Sequence, residues 1–526
     1  MQPKQLTVPE RAVMNIKDSD VISFNGIGRI GLPEKFFPAI EARFLKEGHP
    51  KDLTLYSACG LGSADNKVVR RIAHPGMFSC MVVGYIAPYA EFMPAIQSGL
   101  MEGYNLPQGI ISANYREAAA GRPGFYSKIG LNTFSDPRQE GCALGPKKTH
   151  NLVELKKLDG EEYLFYRTVR PDVCVLRGTT ADPNGNVTME DEVNIADALS
   201  IAMATHNNGG RVMVQVRRLS DTPADPRKVV IPGALITDLW LDPEQKQTNL
   251  PDNPYYTGQQ RASAETLYDL CMEALTGERM PGKRVSVAER IIIRRATLEL
   301  KDSPIVNLGI GMPMLAASEA VAMGILTESH HLTIETGVFG GVPVAAAFGA
   351  VLNPEAIYPM ADQFNLYEGG GLDAALVGAI ETDGSGNVNV IRKDGMLYGA
   401  GGFQHVTMAA KKIVICSKFR LSSGFVQKDG KLIPTDGRGD KFVPKIECVA
   451  MNAADYLKMG KKLIYVTERA VFEAEEGGLV LTEIGRGLDL QKDVLSWLPF
   501  PVKVSRTLKT MPDDCYTFMD DPGQNP

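Results

Sequence analysis

One carboxylate in this chain stands where it could act as a nucleophile. The stretch His331-Leu-Thr-Ile-Glu335-Thr-Gly337-Val-Phe-Gly340-Gly341 is an apolar, strand-like run that ends in a lone acid and passes at once into glycines with exposed backbone N–H groups. An acid so placed lies at the C-terminal mouth of a sheet, where α/β folds put their ligands. A carboxylate is a weak nucleophile, useful when the acyl group it attacks is already activated. Most strand-end acids simply face solvent. What sets Glu335 apart is an internal repeat whose other copy has no acid at that place.

Strand-like runs (Val21-Ile-Ser-Phe24, Asp52-Leu-Thr-Leu-Tyr56, Val173-Cys-Val-Leu176) alternate with amphipathic helical runs, the pattern of parallel sheets covered by helices. The helix after Pro33 is well marked: Phe36, Phe37, Ile40 and Phe44 share a face, and Gly48-His-Pro50 ends it. The chain then repeats itself. Asp172-Val-Cys-Val-Leu-Arg-Gly-Thr-Thr-Ala-Asp182-Pro-Asn-Gly185-Asn-Val187 matches Asp373-Ala-Ala-Leu-Val-Gly-Ala-Ile-Glu-Thr-Asp383-Gly-Ser-Gly386-Asn-Val388 at a constant offset of 201. A second match sets Leu53-Thr-Leu-Tyr56-Ser beside Leu332-Thr-Ile-Glu335-Thr at an offset of 279, pairing Tyr56 with Glu335. The offsets differ by 78 (279 − 201), so the first half carries about that many extra residues between its strands; the Gly-, Pro- and base-rich stretch of about 103–160 is the expected insertion.

The expected fold is α/β: two related open α/β domains with parallel-rich sheets and covering helices, produced by internal duplication. Residues 1–280 form the first domain and residues 281–526 the second, which carries Glu335. The join falls at the turn-rich Glu278-Arg-Met-Pro281-Gly282. Duplicated domains commonly hold a ligand cleft between them.

Composition narrows the function classes. With 526 residues, 44% hydrophobic and 22% charged, the chain has ample core for more than one domain. A formal net charge of −6 with scattered basic residues gives no reason to expect nucleic-acid binding. No window approaches the ~18 uninterrupted apolar residues of a membrane span. Residues 1–20 lack the apolar core of a secretory signal. Eight cysteines without a Cys-x-x-Cys pair suggest neither a disulfide framework nor a zinc site, and the expected compartment is a reducing cytoplasm. Gly26-Ile-Gly28-Arg-Ile-Gly31 matches the dinucleotide-binding pattern, but no acid ends the next strand and the second copy keeps only Gly309 and Gly311.

Many short motifs, in order, resemble the family I coenzyme A transferases, in the single-chain form of the acetate, acetoacetate and propionate enzymes. They include Asn105-Leu-Pro107-Gln108-Gly109, Thr133-Phe-Ser-Asp136-Pro-Arg138, Gly178-Thr-Thr-Ala-Asp182, Glu335-Thr-Gly337, Gly386-Asn-Val-Asn389, Gly399-Ala-Gly401-Gly402-Phe403 and Tyr465-Val-Thr-Glu468-Arg469. Thr336 stands where that family usually has Ser or Asn, keeping the hydroxyl and adding a methyl.

The resemblance implies ping-pong transfer of CoA between carboxylates, with Glu335 forming first an acyl-glutamyl anhydride and then a glutamyl-CoA thioester. It also implies oxyanion donors from the Gln108 amide and a backbone N–H in Gly401-Gly402. Gly340, Gly341 and Asn389 would line the channel for the pantetheine arm. No metal and no permanently bound cofactor are expected; acyl-CoA and a carboxylate are substrates, and the chain is expected to form a homo-oligomer, a dimer or tetramer. Two alternatives share the scaffold: an acyl-CoA thioester hydrolase, in which water intercepts the anhydride, and a non-catalytic CoA-binding protein.

Overall fold

The run Val173–Ala181 shows almost no polar alternation because both of its faces are covered, as in a parallel sheet between helical layers. The computed structural model describes residues 5–62, 68–248, 250–280, 283–428 and 431–519. In it, strands β1 (Val21–Phe24), β2 (Leu53–Ser57), β3 (Phe78–Val83), β4 (Glu102–Asn105), β5 (Val173–Ala181), β6 (Arg211–Leu219) and β7 (Asp238–Leu241) run parallel in the order β7-β6-β5-β1-β2-β3-β4. A second sheet contains β8 (Ile305–Leu308), β9 (His331–Ile334), β10 (Ala374–Gly378), β11 (Lys412–Cys416) and β12 (Lys462–Val466), parallel in the order β12-β11-β10-β8-β9. Antiparallel strands flank it: Val338–Phe339 beyond β9 and Ala470–Glu475 beyond β12. The fold is the expected pair of parallel-rich α/β sheets.

Five strands of each half follow the same order, β7/β12, β6/β11, β5/β10, β1/β8 and β2/β9. Their ladders fix the correspondence residue by residue. Ile22 lies opposite Val173 and Leu55, and Val306 lies opposite Ala374 and Leu332. The first pair keeps the offset of 201 (374 − 173), but the second gives 277 (332 − 55). The expected pairing of Tyr56 with Glu335 is therefore corrected by two residues: Tyr56 corresponds to Thr333, and Glu335 to Ala58. A slip of two leaves every side chain on its own face, so the sequence match tolerated it. The conclusion drawn from it stands, because the first half still has no acid there.

Helices α1 (Phe36–Glu47), α2 (Gln108–Ala119), α3 (Ala198–Asn207), α4 (Met360–Glu368) and α5 (Phe403–Ala409) pack on these sheets. Helix α1 buries Phe36, Phe37 and Ile40 and stops at Gly48, whose left-handed φ of 70° lets its N–H reach the Phe44 carbonyl. Helices α2 and α4 are counterparts: each follows a proline N-cap and each sends a tyrosine onto its sheet. Tyr115 Oη donates to the Tyr56 carbonyl at 3.1 Å, and Tyr367 Oη donates to Thr333 Oγ1 at 2.7 Å. Residues 103–160 thus include α2, which has a partner in the other half, and two strands of a small sheet (Gly124–Ser127, Val153–Leu158). Of the join at 280/281, residues 281 and 282 lie outside the described residues.

The glycine turn at 26–31 does not open a helix directly. Gly28 exchanges hydrogen bonds with the loop after β2, its N–H to the Gly60 carbonyl and its carbonyl from Gly62 N–H, each at 2.7 Å.

Candidate active site

Glu335 is the first residue past β9, at the C-terminal mouth of the second sheet. The residue is 5% exposed, and its Oε2 has no hydrogen-bond partner among the described residues. Burial in this apolar setting penalises the charged form and pushes its pKa up to about 7, offset only in part by its own backbone N–H. Gly402 lies directly against it: a Cβ there would come 2.6 Å from both Glu335 Cγ and Oε1. Glycine at 402 is a steric condition for this placement of the carboxylate.

Gln108 comes from the other half. It opens α2, is 3% exposed, and its Nε2 donates to two sulfurs, Cys59 Sγ and Met360 Sδ, each at 3.3 Å. Sulfur is a weak acceptor, so this amide is held in place without being strongly engaged. Gln108 also faces the glycine loop: a Cβ at Gly401 would lie 3.7 Å from its Oε1, and its backbone N–H donates to the Gly401 carbonyl at 2.9 Å. The loop is stapled to the first half. Gly401 N–H donates to the Gly84 carbonyl at 2.7 Å, and Asn105 receives Ala400 N–H at 2.8 Å while donating to the Val83 and Gly84 carbonyls. Gly401 N–H is therefore committed. Gly402 N–H has no acceptor among the described residues, which makes it the available donor of the pair.

The structure brings Glu335, Gln108, Gly401 and Gly402 together and leaves the other expected residues apart. Gly340 N–H donates to the Leu332 carbonyl, level with the start of β9 and about 10 Å from its mouth. Both Gly340 and Gly341 adopt left-handed φ values of 73° and 76°, and a side chain on them would strike Glu355 and the Leu352 carbonyl respectively. Asn389 is buried, with Nδ2 donating to Glu381 Oε2 at 2.8 Å and the Arg392 carbonyl at 2.7 Å, and Oδ1 accepting from Ile391 N–H. It shapes the turn whose Ile391 carbonyl receives Tyr398 and Gly399 N–H, one step before the glycine loop.

Three contributors were not legible in the sequence. Cys59 and Met360 hold the Gln108 amide, and they meet only through long-range packing. Asp197, the N-cap residue of α3, is buried near Cys59; Ser112 Oγ donates to it at 2.7 Å, and burial pushes its pKa up to about 6. His405 packs against Phe364 with its ring tilted by 55° and the centroids 4.7 Å apart, and burial pushes its pKa down to about 3, so it is neutral. Among the described residues no group of three or more His, Cys, Asp or Glu could hold a metal ion, and no helix is long and apolar enough to cross a membrane.

Residues 6–241 match the model of a protein family described as coenzyme A transferase. The chain is 35% identical over 515 residues to a caffeate CoA-transferase of Acetobacterium woodii, covering 95% of each. It is 34% identical over 516 residues to the acetate CoA-transferase YdiF of Escherichia coli K12, covering 95% of this chain and 93% of that one. The crystal structure of the acyl-CoA transferase YdiF apoenzyme from E. coli O157:H7 superposes with a TM-score of 0.89 at 32% identity, covering 98% of both chains; a thioester complex of that protein with CoA matches equally well. With the motifs in order and the duplicated fold in place, this chain belongs to the coenzyme A transferases.

Proposed function

We propose that the protein moves CoA from a short-chain acyl-CoA to an acceptor acid of the acetate, propionate, lactate, butyrate or acetoacetate class, with Glu335 as the covalent carrier. The ionised carboxylate attacks the thioester carbonyl, giving an acyl-glutamyl anhydride and CoA thiolate. The thiolate attacks the glutamyl carbonyl, forming a glutamyl-CoA thioester and releasing the first acid as carboxylate. A second carboxylate then reverses both steps. No proton must be moved, so no general base is required, and the neutral, buried His405 is free of such a role. Each step passes through a tetrahedral oxyanion. Gln108 Nε2 would exchange two weak sulfur acceptors for that oxygen, and Gly402 N–H, without an acceptor among the described residues, would supply the second donor; one such donor is worth ~3 kcal/mol in the transition state.

The observation that carries this reading is a buried carboxyl with an oxygen unpartnered among the described residues, packed against Gly402 of a glycine loop that also touches the Gln108 side chain from the other half. The CoA thioester complex of the similar YdiF protein supports the same intermediate. Relatives named for acids as different as acetate and caffeate leave the acyl pocket, including the Thr336 methyl, to set this chain's acid.

The test is intact-protein mass spectrometry after incubation with acetyl-CoA, then borohydride and peptide mapping. A CoA adduct, or Glu335 reduced to the alcohol, is the expected result. An unmodified Glu335 in a protein that binds CoA would overturn the covalent route. Thiol release without any acceptor acid would reassign the site to hydrolysis.

A further inference from the structure

The N-caps of α3 and α5 stand in equivalent places and carry different residues. Aligned on their first helical residues, Ala198 and Phe403, the two helices pair Ala196 with Gly401 and Asp197 with Gly402, an offset of 205 (403 − 198). The backbone supports the pairing. Ala196 and Gly401 are both left-handed, with φ of 40° and 55°. Each of their carbonyls takes the first N–H of the helix that faces it from the other half: Ala196 from Met360 at 3.0 Å, Gly401 from Gln108 at 2.9 Å. A left-handed backbone is unfavourable for alanine, so its surroundings must hold this turn in place. Where the second half has Gly402 beside a strand-end acid, the first half has an acid at the helix N-cap and Ala58 at the strand end.

Asp197 is buried, and no step of the transfer needs it. Its backbone is tied to the mouth of the first sheet: its N–H donates to Asn25 Oδ1 at 2.8 Å, and Asn25 Nδ2 donates to the Ile195 carbonyl at 3.0 Å. Its carboxylate lies between the first turns of two helices. On one side Ser112 Oγ, one turn into α2 from Gln108, donates to Oδ1 at 2.7 Å. On the other side is α4. Burial raises the Asp197 pKa, while Ser112, Arg116 and the Ala361 N–H favour its charged form. The Ala361 contact is electrostatic, since Oδ2 has no hydrogen-bond partner among the described residues. Ala361 is the second residue of α4, a position whose N–H a capping side chain commonly satisfies. The α4 N-cap, Pro359, makes no such bond, and the first half brings a carboxylate there instead. The residues that open these two helices are the ones that meet in the site, with Gln108 Nε2 3.3 Å from Met360 Sδ. The half-exposed ion pair Arg116–Asp362, at 2.7 Å, also links the two helices.

We propose that Asp197 is a positioning residue: by tying the first turns of α2 and α4 together, its carboxylate holds the Gln108 amide in place opposite Glu335. The proposal rests on the CoA-transfer reading. Asp197 touches no reacting atom and acts only through Gln108, which a double-mutant cycle tests. The rate of glutamyl-CoA formation from acetyl-CoA, followed by rapid quenching and mass spectrometry, is the readout. Asp197→Ala should slow it about tenfold or more, as a misplaced catalytic group does. The acetyl-CoA concentration giving half the maximal rate should stay within about twofold. In the Gln108→Met background the same change should cost less than about twofold. A lesion that only loosens the fold would instead multiply the two losses. Asp197→Asn, which keeps an oxygen for Ser112, and Ser112→Ala, which keeps the carboxylate, should show smaller losses with the same dependence on Gln108. Should Asp197→Ala fail to fold, these two variants carry the cycle. Losses of equal factor in both backgrounds, or an unchanged rate in all three variants, would overturn the role of Asp197 and leave the glutamyl-CoA route intact. An unaltered protein that forms no adduct would overturn the route itself and this proposal with it.

Discussion

At the mouth of the first sheet, β2 runs into Ala58-Cys59 and helix α2 opens with Gln108. At the mouth of the second, β9 runs into Glu335-Thr336 and helix α4 opens with Met360. The strand registers pair Ala58 with Glu335 and Cys59 with Thr336; the proline caps at 107 and 359 pair Gln108 with Met360. One copy therefore supplies the amide without the acid, and the other the acid without the amide. The loops that lead into the next helices diverge in the same sense. At the offset of 201, the first residue of α3 falls on Gly399, four residues before α5 begins, so the glycine loop replaces one helical turn. The Met360 N–H meets the Ala196 carbonyl, while the Gln108 N–H meets the Gly401 carbonyl, again displaced by one turn from the repeat. Unwinding that turn is what lets Gly402 approach Glu335. Duplication built two similar mouths, and divergence left each incomplete without the other.

If this division holds, removing the acid should cost most. Glu335→Gln should lower kcat on the order of 10⁴-fold or more, as loss of a covalent nucleophile does. Placing an acid at the equivalent position, Ala58→Glu in the same variant, should not restore turnover, because the first-half counterpart of the glycine loop is the unbroken first turn of α3; measurable rescue would break the comparison. Gln108→Met, which copies Met360 into the first half, should lower kcat by about 10²–10³ and leave the glutamyl-CoA adduct detectable. Loss of CoA binding instead would reassign Gln108 to substrate affinity. Gly402→Ala should cost about tenfold in kcat, since a 2.6 Å approach forces the Glu335 carboxylate to shift. An alanine tolerated there without change would show that the carboxylate has room to move.

The sequence made the scaffold legible because burial on both faces of a parallel strand leaves an apolar run, and because the Asp-turn-Gly-Asn-Val segment was kept in both copies at one offset. Glu335 was legible as an acid with no acid opposite it. Its exact counterpart was not, since a two-residue slip preserves side-chain alternation and only the ladder distinguishes Tyr56 from Ala58. Cys59 and Met360 were invisible because they meet Gln108 across 49 and 252 residues of chain. Gly340 and Gly341 drew notice by following the acid closely, but the chain reverses at Gly337 and carries them back along β9 to Leu332. The choice between Gly401 and Gly402 as donor depended on which N–H the Gly84 carbonyl had already taken.

The smallest effect concerns stability, and it separates the acid of the second mouth from an ordinary core residue. Glu335 has a folded pKa near 7 against an ordinary value of 4.5. Because the folded value is raised, the favourable neutral form is present below about 4.5, and its contribution is lost as pH rises through 7. A shift of this size corresponds to a few kcal/mol of destabilisation at pH 8, on the order of 1.4 kcal/mol per pKa unit. Glu335→Gln removes the charge at every pH, so its denaturation midpoint should rise relative to the unaltered protein between pH 5 and pH 8. Ala58→Gln, at the equivalent mouth, changes no titrating group and should shift the midpoint by the same amount at both pH values. In the unaltered protein, kcat/KM for acetyl-CoA should fall tenfold per unit as pH drops below about 7, because the protonated acid cannot attack. A flat profile down to pH 5, with Glu335→Gln no more stable at pH 8 than at pH 5, would mean that Glu335 sits in a wetter mouth than its 5% exposure indicates. The contrast between the two mouths would then lie in nucleophile placement alone.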